Sequence, residues 1–196
     1  NGTYTVSEVE QVIITQFGEP IGEAIDTPGL KFKLPLVQDV NRFDKRWLEW
    51  DGEASEMPTK EKTYIYVDTY ARWRIVDPLK FFESVRDERS AQSRLDDIID
   101  SETRNVIAAH NLIEVVRISN REFVQSSDLK VGRAFGDSDG QVPDISEGRD
   151  KLTRLILKKA QVVMPEYGIE LVDLQFQRVN YTASVKMKVF ERMIQD

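Results

Sequence analysis

Few residues in this chain are equipped for chemistry. His110 is the one histidine, and there is no cysteine. A zinc site draws on clustered His, Cys or carboxylate ligands, and disulfide or thiolate chemistry has no residue to use. A Ser-His-Asp triad could recruit His110, but no G-x-S-x-G turn accompanies it. Its place at the end of a predicted helix suits a cation-capable group near a helix C-terminus. Asp96, Asp97, Asp100 and Glu102 form a carboxylate cluster. Asp96 and Asp100 share a helix face, a geometry open to metal or acid/base chemistry. They also lie opposite that helix's apolar stripe, where solvated carboxylates belong. Asp137, Asp139 and Gly140 resemble the start of a calcium loop but lack the spaced later ligands and the closing Glu. The run "GDSDG" has no Lys-Ser/Thr after it and makes no phosphate loop. Catalytic, cofactor and metal sites are therefore read as none.

Tyr64, Tyr66 and Tyr70, with Arg72 and Arg74, share one face of a predicted strand. Such a row could stack single-stranded nucleic acid. The net charge of −7 and an acidic connector oppose this. Cross-strand aromatic packing under a helix is the other reading. No nucleic-acid partner is expected.

These residues need elements to position them. Glu8 to Phe17 reads as a strand, Gly18 to Pro20 as a turn, and Ile21 to Ile25 as its hairpin partner. Val37 to Trp50 alternates loosely and suggests one or two strands, with a polar connector from Glu53 to Lys62. Thr63 to Ile75 is the clearest strand, with Ile65, Val67, Thr69, Ala71, Trp73 and Ile75 on its apolar face. Asp77-Pro78 starts a short helix over Leu79 to Val85. A long helix follows from Arg89 to Ala109, striped by Leu95, Ile98, Ile99, Val106 and Ala109. Ser126 to Gly148 is rich in Gly, Ser and Asp and reads as a mobile insertion. A second long helix spans Glu147 to Met164, with Leu152, Leu155, Ile156, Lys159 and Val163 on one face. Pro165 and Gly168 stop it. Ile169 to Val179 alternates as a strand, with Ile169, Leu171, Asp173, Gln175 and Gln177 on one side. Thr182 can cap a last helix, still running at Asp196, with Met187, Phe190 and Ile194 as its amphipathic stripe. Strands first and helices after indicate an α+β fold.

Hydrophobic content of 40% and charged content of 31% fit one globular domain or two small ones. No window of about 18 apolar residues exists. The chain starts at Asn1, and it is expected to be a piece of a longer protein.

The stretch "DTPGLKFKLPLVQDV" stands apart. Pro28 and Pro35 remove backbone donors at its ends, which excludes a central strand. Leu30, Phe32 and Leu34 alternate with Lys31 and Lys33. An exposed apolar row usually marks an interaction site, and lysine stems can snorkel towards lipid phosphates. Packing beneath a sheet is the competing reading.

Four segments carry a family resemblance. They are "SEVEQVIITQFGEPIGEAIDTPGLKFKLPLVQDV", "TKEKTYIYVDTYARWRIVDPLKFF", "YGIELVDLQFQRVNY" and "SVKMKVFERM". In this order they resemble the SPFH or band-seven family of stomatin, prohibitin, flotillin and HflK/HflC, with the bacterial HflK/HflC branch nearest. Tyr181-Thr182 stands where that family often has Leu-Pro. The resemblance implies an SPFH domain over residues 1–181, with a mixed, mostly antiparallel sheet and packed helices. Residues 182–196 would begin a coiled-coil helix, with Met187, Phe190 and Ile194 serving oligomerisation. It implies a non-enzymatic scaffold without cofactor. That scaffold would be anchored in the bacterial inner membrane by a single helix before Asn1, with this domain on the periplasmic side. The implied partners are an HflK-like paralogue, an FtsH-type AAA protease that the assembled cage regulates, and membrane lipid. The full-length protein would be a homo- or hetero-oligomer. With the anchor just upstream, Leu30, Lys31, Phe32, Lys33 and Leu34 are expected to meet the outer headgroup region. A stomatin-like scaffold serving a membrane serine protease, or a protease subunit with a Ser/Lys dyad, are the alternatives.

Overall fold

The computed structural model describes residues 2–117 and 147–181, the side chain of Tyr181 apart. The stripe Met187, Phe190 and Ile194, the "GDSDG" run and nearly all of the Ser126 to Gly148 insertion lie outside these residues. The elements are β1 (Thr3–Val6), β2 (Glu10–Gln16), β3 (Glu19–Ile25), β4 (Gly29–Phe32), β5 (Gln38–Asp44), β6 (Leu48–Asp51), β7 (Ser55–Pro58) and β8 (Tyr64–Ile75). Helices α1 (Pro78–Ser84), α2 (Glu88–Ala109), α3 (Leu112–Val116) and α4 (Arg149–Val163) follow. A 3-10 turn (Met164–Tyr167) then leads into β9 (Ile169–Tyr181). Two-stranded β1-β4, three-stranded β3-β2-β5, and a sheet in which β6, β7 and β9 all pair with β8 make an α+β fold.

The chain divides into two compact units. The first holds Asn1–Asp51, Ala71–Ile98 and Leu157–Leu174. Its small sheets are built on local hairpins. Phe17 and Gly18 turn β2 into β3, both with positive φ, and Gly22 (φ 73) sits where the β2–β3 register shifts. Such a left-handed glycine is the usual device of a β-bulge. Tyr4, Val6 and Val12 form a buried cluster, flanked by Ile14, Ile25 and Val40. Phe81 of α1 packs edge-on against Phe43 (5.3 Å) and stacks on Trp73 (6.4 Å). Gln11, buried in β2, donates to the Ile75 carbonyl at 3.0 Å. Asp77 caps α1 by accepting from Lys80 N–H.

Gly168 closes this unit's α4–β9 corner. Its carbonyl accepts the N–H groups of Val76 (2.9 Å) and Asp77 (3.1 Å). Its φ is 67, and a Cβ there would stand 2.3 Å from the Asp77 carbonyl oxygen. Only glycine meets both conditions, which gives the glycine of "YGIE" a physical reason.

The second unit holds Gly52–Tyr70, Ile99–Ile156 and Gln175–Asp196. The connector read as polar, Glu53 to Lys62, contains β7, which pairs with β8 from Ser55↔Val67 to Pro58↔Tyr64. Met57 there is fully buried. Strand pairing satisfies its backbone, so one apolar side chain suffices to anchor it. Asn111 and Glu114 form a capping box at α3. Arg149 N–H donates to the Arg117 carbonyl (2.8 Å), and the Arg149 guanidinium bonds the Phe176 carbonyl and lies over its ring.

Two helices and one strand differ from expectation in phase. Along α2 the buried positions are Ala91, Leu95, Ile99, Thr103, Val106 and Ile107, while Ala109 is exposed and Ile98 half-buried. Along α4 they are Leu152, Ile156 and Ala160, with Lys159 exposed. In β9, Ile169 and Leu171 are buried, then Leu174 and Phe176, so the buried parity changes within the strand. A strict period of two does not allow for such a change.

Candidate functional site

Among the carboxylates of helix α2, Asp96 serves the fold. Asp96 accepts the indole N–H of Trp50 at 2.6 Å, and Trp50 is fully buried. This is a structural acceptor for a buried donor. Among the described residues no group of three or more His, Cys, Asp or Glu could hold a metal ion. His110 ends α2 as a fastener: its Nδ1 lies 2.7 Å from the Val106 carbonyl, and its own carbonyl accepts Lys60 N–H. Its Nε2 lies 3.4 Å from a Glu147 oxygen.

The tyrosine and arginine face of β8 is not covered by a helix as expected. Tyr64 and Tyr66 are exposed. Arg72 pairs with Asp173 (3.2 Å) and Arg74 with Glu170 (2.6 Å), and Arg74 also lies 4.5 Å over the Trp47 ring. The guanidinium groups are thus engaged by β9 carboxylates and an indole.

Among the described residues, most of the exposed large apolar side chains belong to the first unit. It begins with the β1–β4 register: Thr3 opposite Phe32, Tyr4 opposite Lys31, Thr5 opposite Leu30, Val6 opposite Gly29. Side chains alternate across a strand, so the ribbon has two unlike faces. Tyr4 and Val6 point into the core. Thr3, Thr5, Leu30 and Phe32 occupy the outer face, with Leu30 61% and Phe32 75% exposed. No charged residue shares that face of the ribbon. Arg42 of β5 ties the ribbon down, donating to the Thr5 carbonyl (2.9 Å) and pairing with Glu10 (2.8 Å). Burial pushes the Tyr4 phenol up beneath it, partly offset by the Arg42 charge.

Residues 33–38 continue the surface as a tight turn. Lys33 N–H donates to the Gly2 carbonyl (2.8 Å). Gln38 Oε1 accepts Leu34 N–H (2.8 Å), and Gln38 N–H donates to the Leu34 carbonyl (3.1 Å). Leu34 (59%) and Leu36 (104%) point outwards. The lysines do not follow the leucines. Lys31 Nζ donates to Thr27 Oγ1 (3.0 Å) and Lys33 Nζ to the Gln38 carbonyl (2.8 Å), both half-buried. Alternation puts them opposite the apolar row, so both amines serve the loop itself. Of the five residues expected to act together, the structure brings Leu30, Phe32 and Leu34 to one surface and sets Lys31 and Lys33 apart.

Two contributors, Phe17 and Leu36, stand outside the five residues expected from the sequence. Phe17 (84% exposed) follows Gln16, which pairs with Gln38 and Glu19. The β2–β3 turn and the 33–38 turn are therefore neighbours, and Phe17 joins Leu34 and Leu36 at one end of the sheet. The signal was a large apolar residue before the glycine of a hairpin turn, a place that normally takes small polar residues.

Among the described residues no helix is long and apolar enough to cross a membrane. Comparison with known proteins covers nearly the whole chain. It is 34% identical to Protein HflC of Treponema pallidum, over 98% of this chain and 60% of that protein. It is 34% identical to Protein HflC of Borreliella burgdorferi over the same shares. It is 27% identical to the Modulator of FtsH protease HflC of Escherichia coli K12, over 97% of this chain and 62% of that protein. The chain thus spans about three-fifths of the length of these relatives. The family model described as the SPFH domain / Band 7 family matches residues 4–196. That match takes in the β1–β4 ribbon, the Gly168 corner and both units, and the chain belongs to the SPFH domain / Band 7 family.

Proposed function

We propose that the protein is a non-enzymatic, membrane-associated scaffold that regulates an FtsH-type membrane protease and organises the membrane around it. The observation that carries this reading is similarity along the whole chain to proteins named HflC, one of them a modulator of FtsH protease. The uncharged apolar ribbon supports the membrane part. Leu30, Phe32 and Leu34 touch the outer headgroup region, while Lys31 and Lys33 hold the loop in shape. The scaffold pairs with an HflK-like paralogue. Residues 182–196 begin a coiled-coil helix whose Met187, Phe190 and Ile194 serve that assembly, and the domain stands on the periplasmic side of the inner membrane. Linked through such a helix and an anchor, neighbouring domains gain effective concentration that a free domain lacks. The closed wall then limits substrate access to the enclosed protease. Deleting the gene and following turnover of FtsH membrane substrates tests this. Altered turnover supports it; unchanged turnover, with intact FtsH, rejects it.

A further inference from the structure

We propose that the apolar surface selects lipid layers with exposed hydrocarbon rather than negative headgroups, with Phe17 and Leu36 entering beside Leu30, Phe32 and Leu34. This rests on the membrane reading above and names the lipid chemistry it takes.

Three observations carry it. First, Phe17 (φ 53) and Leu36 (φ 71) both hold left-handed backbone, where glycine or asparagine is the unstrained choice. Each is a bulky apolar residue kept against its backbone preference at a turn tip. Backbone outliers of this kind concentrate at functional sites. Second, both side chains stand almost free of the protein. Single side chains on adjacent tips suit a fluid layer that yields around each one, whereas a protein partner would need a matched pocket for each. Third, the charge distribution is wrong for anionic lipid. The outer face of the ribbon is uncharged, and the Lys31 and Lys33 amines are engaged within the loop. The charged residues flanking the tips along β3 and β5 are Glu19 and Asp39, both exposed. Their carboxylates repel a negative surface. Apolar burial is then the driving term, and it needs accessible acyl chain.

The test is flotation of the 196-residue chain with vesicles of defined composition. Small sonicated dioleoyl-phosphatidylcholine vesicles, which expose hydrocarbon between headgroups, should bind it more tightly than large saturated ones. Adding phosphatidylglycerol or raising salt should change binding less than about twofold, because screening acts on charge and not on apolar burial. Phe17→Asn and Leu36→Asn should each weaken binding roughly tenfold, the scale of one large apolar side chain. Asparagine tolerates the left-handed backbone, so these variants should keep the wild-type circular dichroism. Binding that grows with phosphatidylglycerol and vanishes in salt overturns the hydrocarbon selection and leaves the membrane reading standing. No binding to any vesicle overturns both. Unchanged vesicle binding by the variants, with loss of a dimer in sedimentation, assigns the surface to a second copy of the chain and also overturns the proposal.

Discussion

Gln38 and Leu34 are joined twice, backbone N–H to carbonyl and side-chain oxygen to N–H, at 3.1 and 2.8 Å. This double link closes the turn that carries Leu34 and Leu36, and it sets that turn beside the Phe17 hairpin through the Gln16–Gln38 pair. An exposed turn of this kind would otherwise be a loose loop.

Gln38→Ala should therefore loosen residues 33–38 and leave the rest of the fold intact. The loss of a half-exposed hydrogen bond is worth about 0.5–1.5 kcal/mol. Hydrogen exchange should accelerate at Leu34 while the amides of β2 keep their protection. Equal acceleration in β2 would show that the turn is part of the core.

Gly168→Ala should be among the more damaging single changes. It combines a left-handed φ with a Cβ 2.3 Å from the Asp77 oxygen and 2.8 Å from Phe81 N. Strain and overpacking together suggest a loss of about 2–4 kcal/mol. Gly18→Ala is the control, with φ 88 and open space around the Cβ. It should lose about 1–2 kcal/mol, the cost of left-handed backbone alone. Thermal melts of the two variants check the order.

Asp96→Ala should leave the Trp50 indole N–H buried without an acceptor, a loss of about 1–3 kcal/mol. Asp96→Asn keeps an acceptor oxygen and should fall well short of that. Calcium or magnesium should not raise the melting temperature of either the wild type or Asp96→Asn. A cation-dependent rise confined to the wild type would revive a metal role for the α2 carboxylates.

Acid should destabilise the protein through Asp44 and Asp87. Side-chain hydrogen bonds from Arg46 hold the Asp44 carboxyl below its ordinary value of 3.8. The Ser90 backbone N–H, at the start of α2, does the same for Asp87. A depressed folded-state value means the stabilisation is present above 3.8 and is lost as pH falls through the lower folded value. The melting temperature should therefore drop below about pH 4, and Asp44→Asn and Asp87→Asn should each make that drop shallower. A drop of unchanged steepness in both variants would move the acid lability elsewhere.

Local pattern was legible in the sequence wherever one physical rule dominated. The inward face of β8 is a strict alternation, and Ile65, Val67, Thr69, Ala71, Trp73 and Ile75 are all buried as that alternation requires. Asp77-Pro78 marked a helix start and Gly168 a stop, because capping and left-handed backbone are properties of single residues. The two prolines kept "PGLKFKLP" out of any central strand, and β4 lies in a two-stranded ribbon. The family was carried by those same short segments.

Tertiary structure decided the rest, because burial depends on what lies opposite. Met57 in a polar run became core once β7 paired with β8. The parity change in β9 and the shifted stripes of α2 and α4 follow from which neighbour covers each face, which no periodicity contains. At the apolar surface, alternation alone puts Leu30, Phe32 and Leu34 on one side and the lysines on the other. Only the folded chain set the leucines outwards, gave Lys33 the Gln38 carbonyl, and put the Phe17 and Leu36 turns at the same end of the sheet through a strand pairing some twenty residues apart. Alternation fixes which side chains travel together; long-range hydrogen bonding chooses which side meets water.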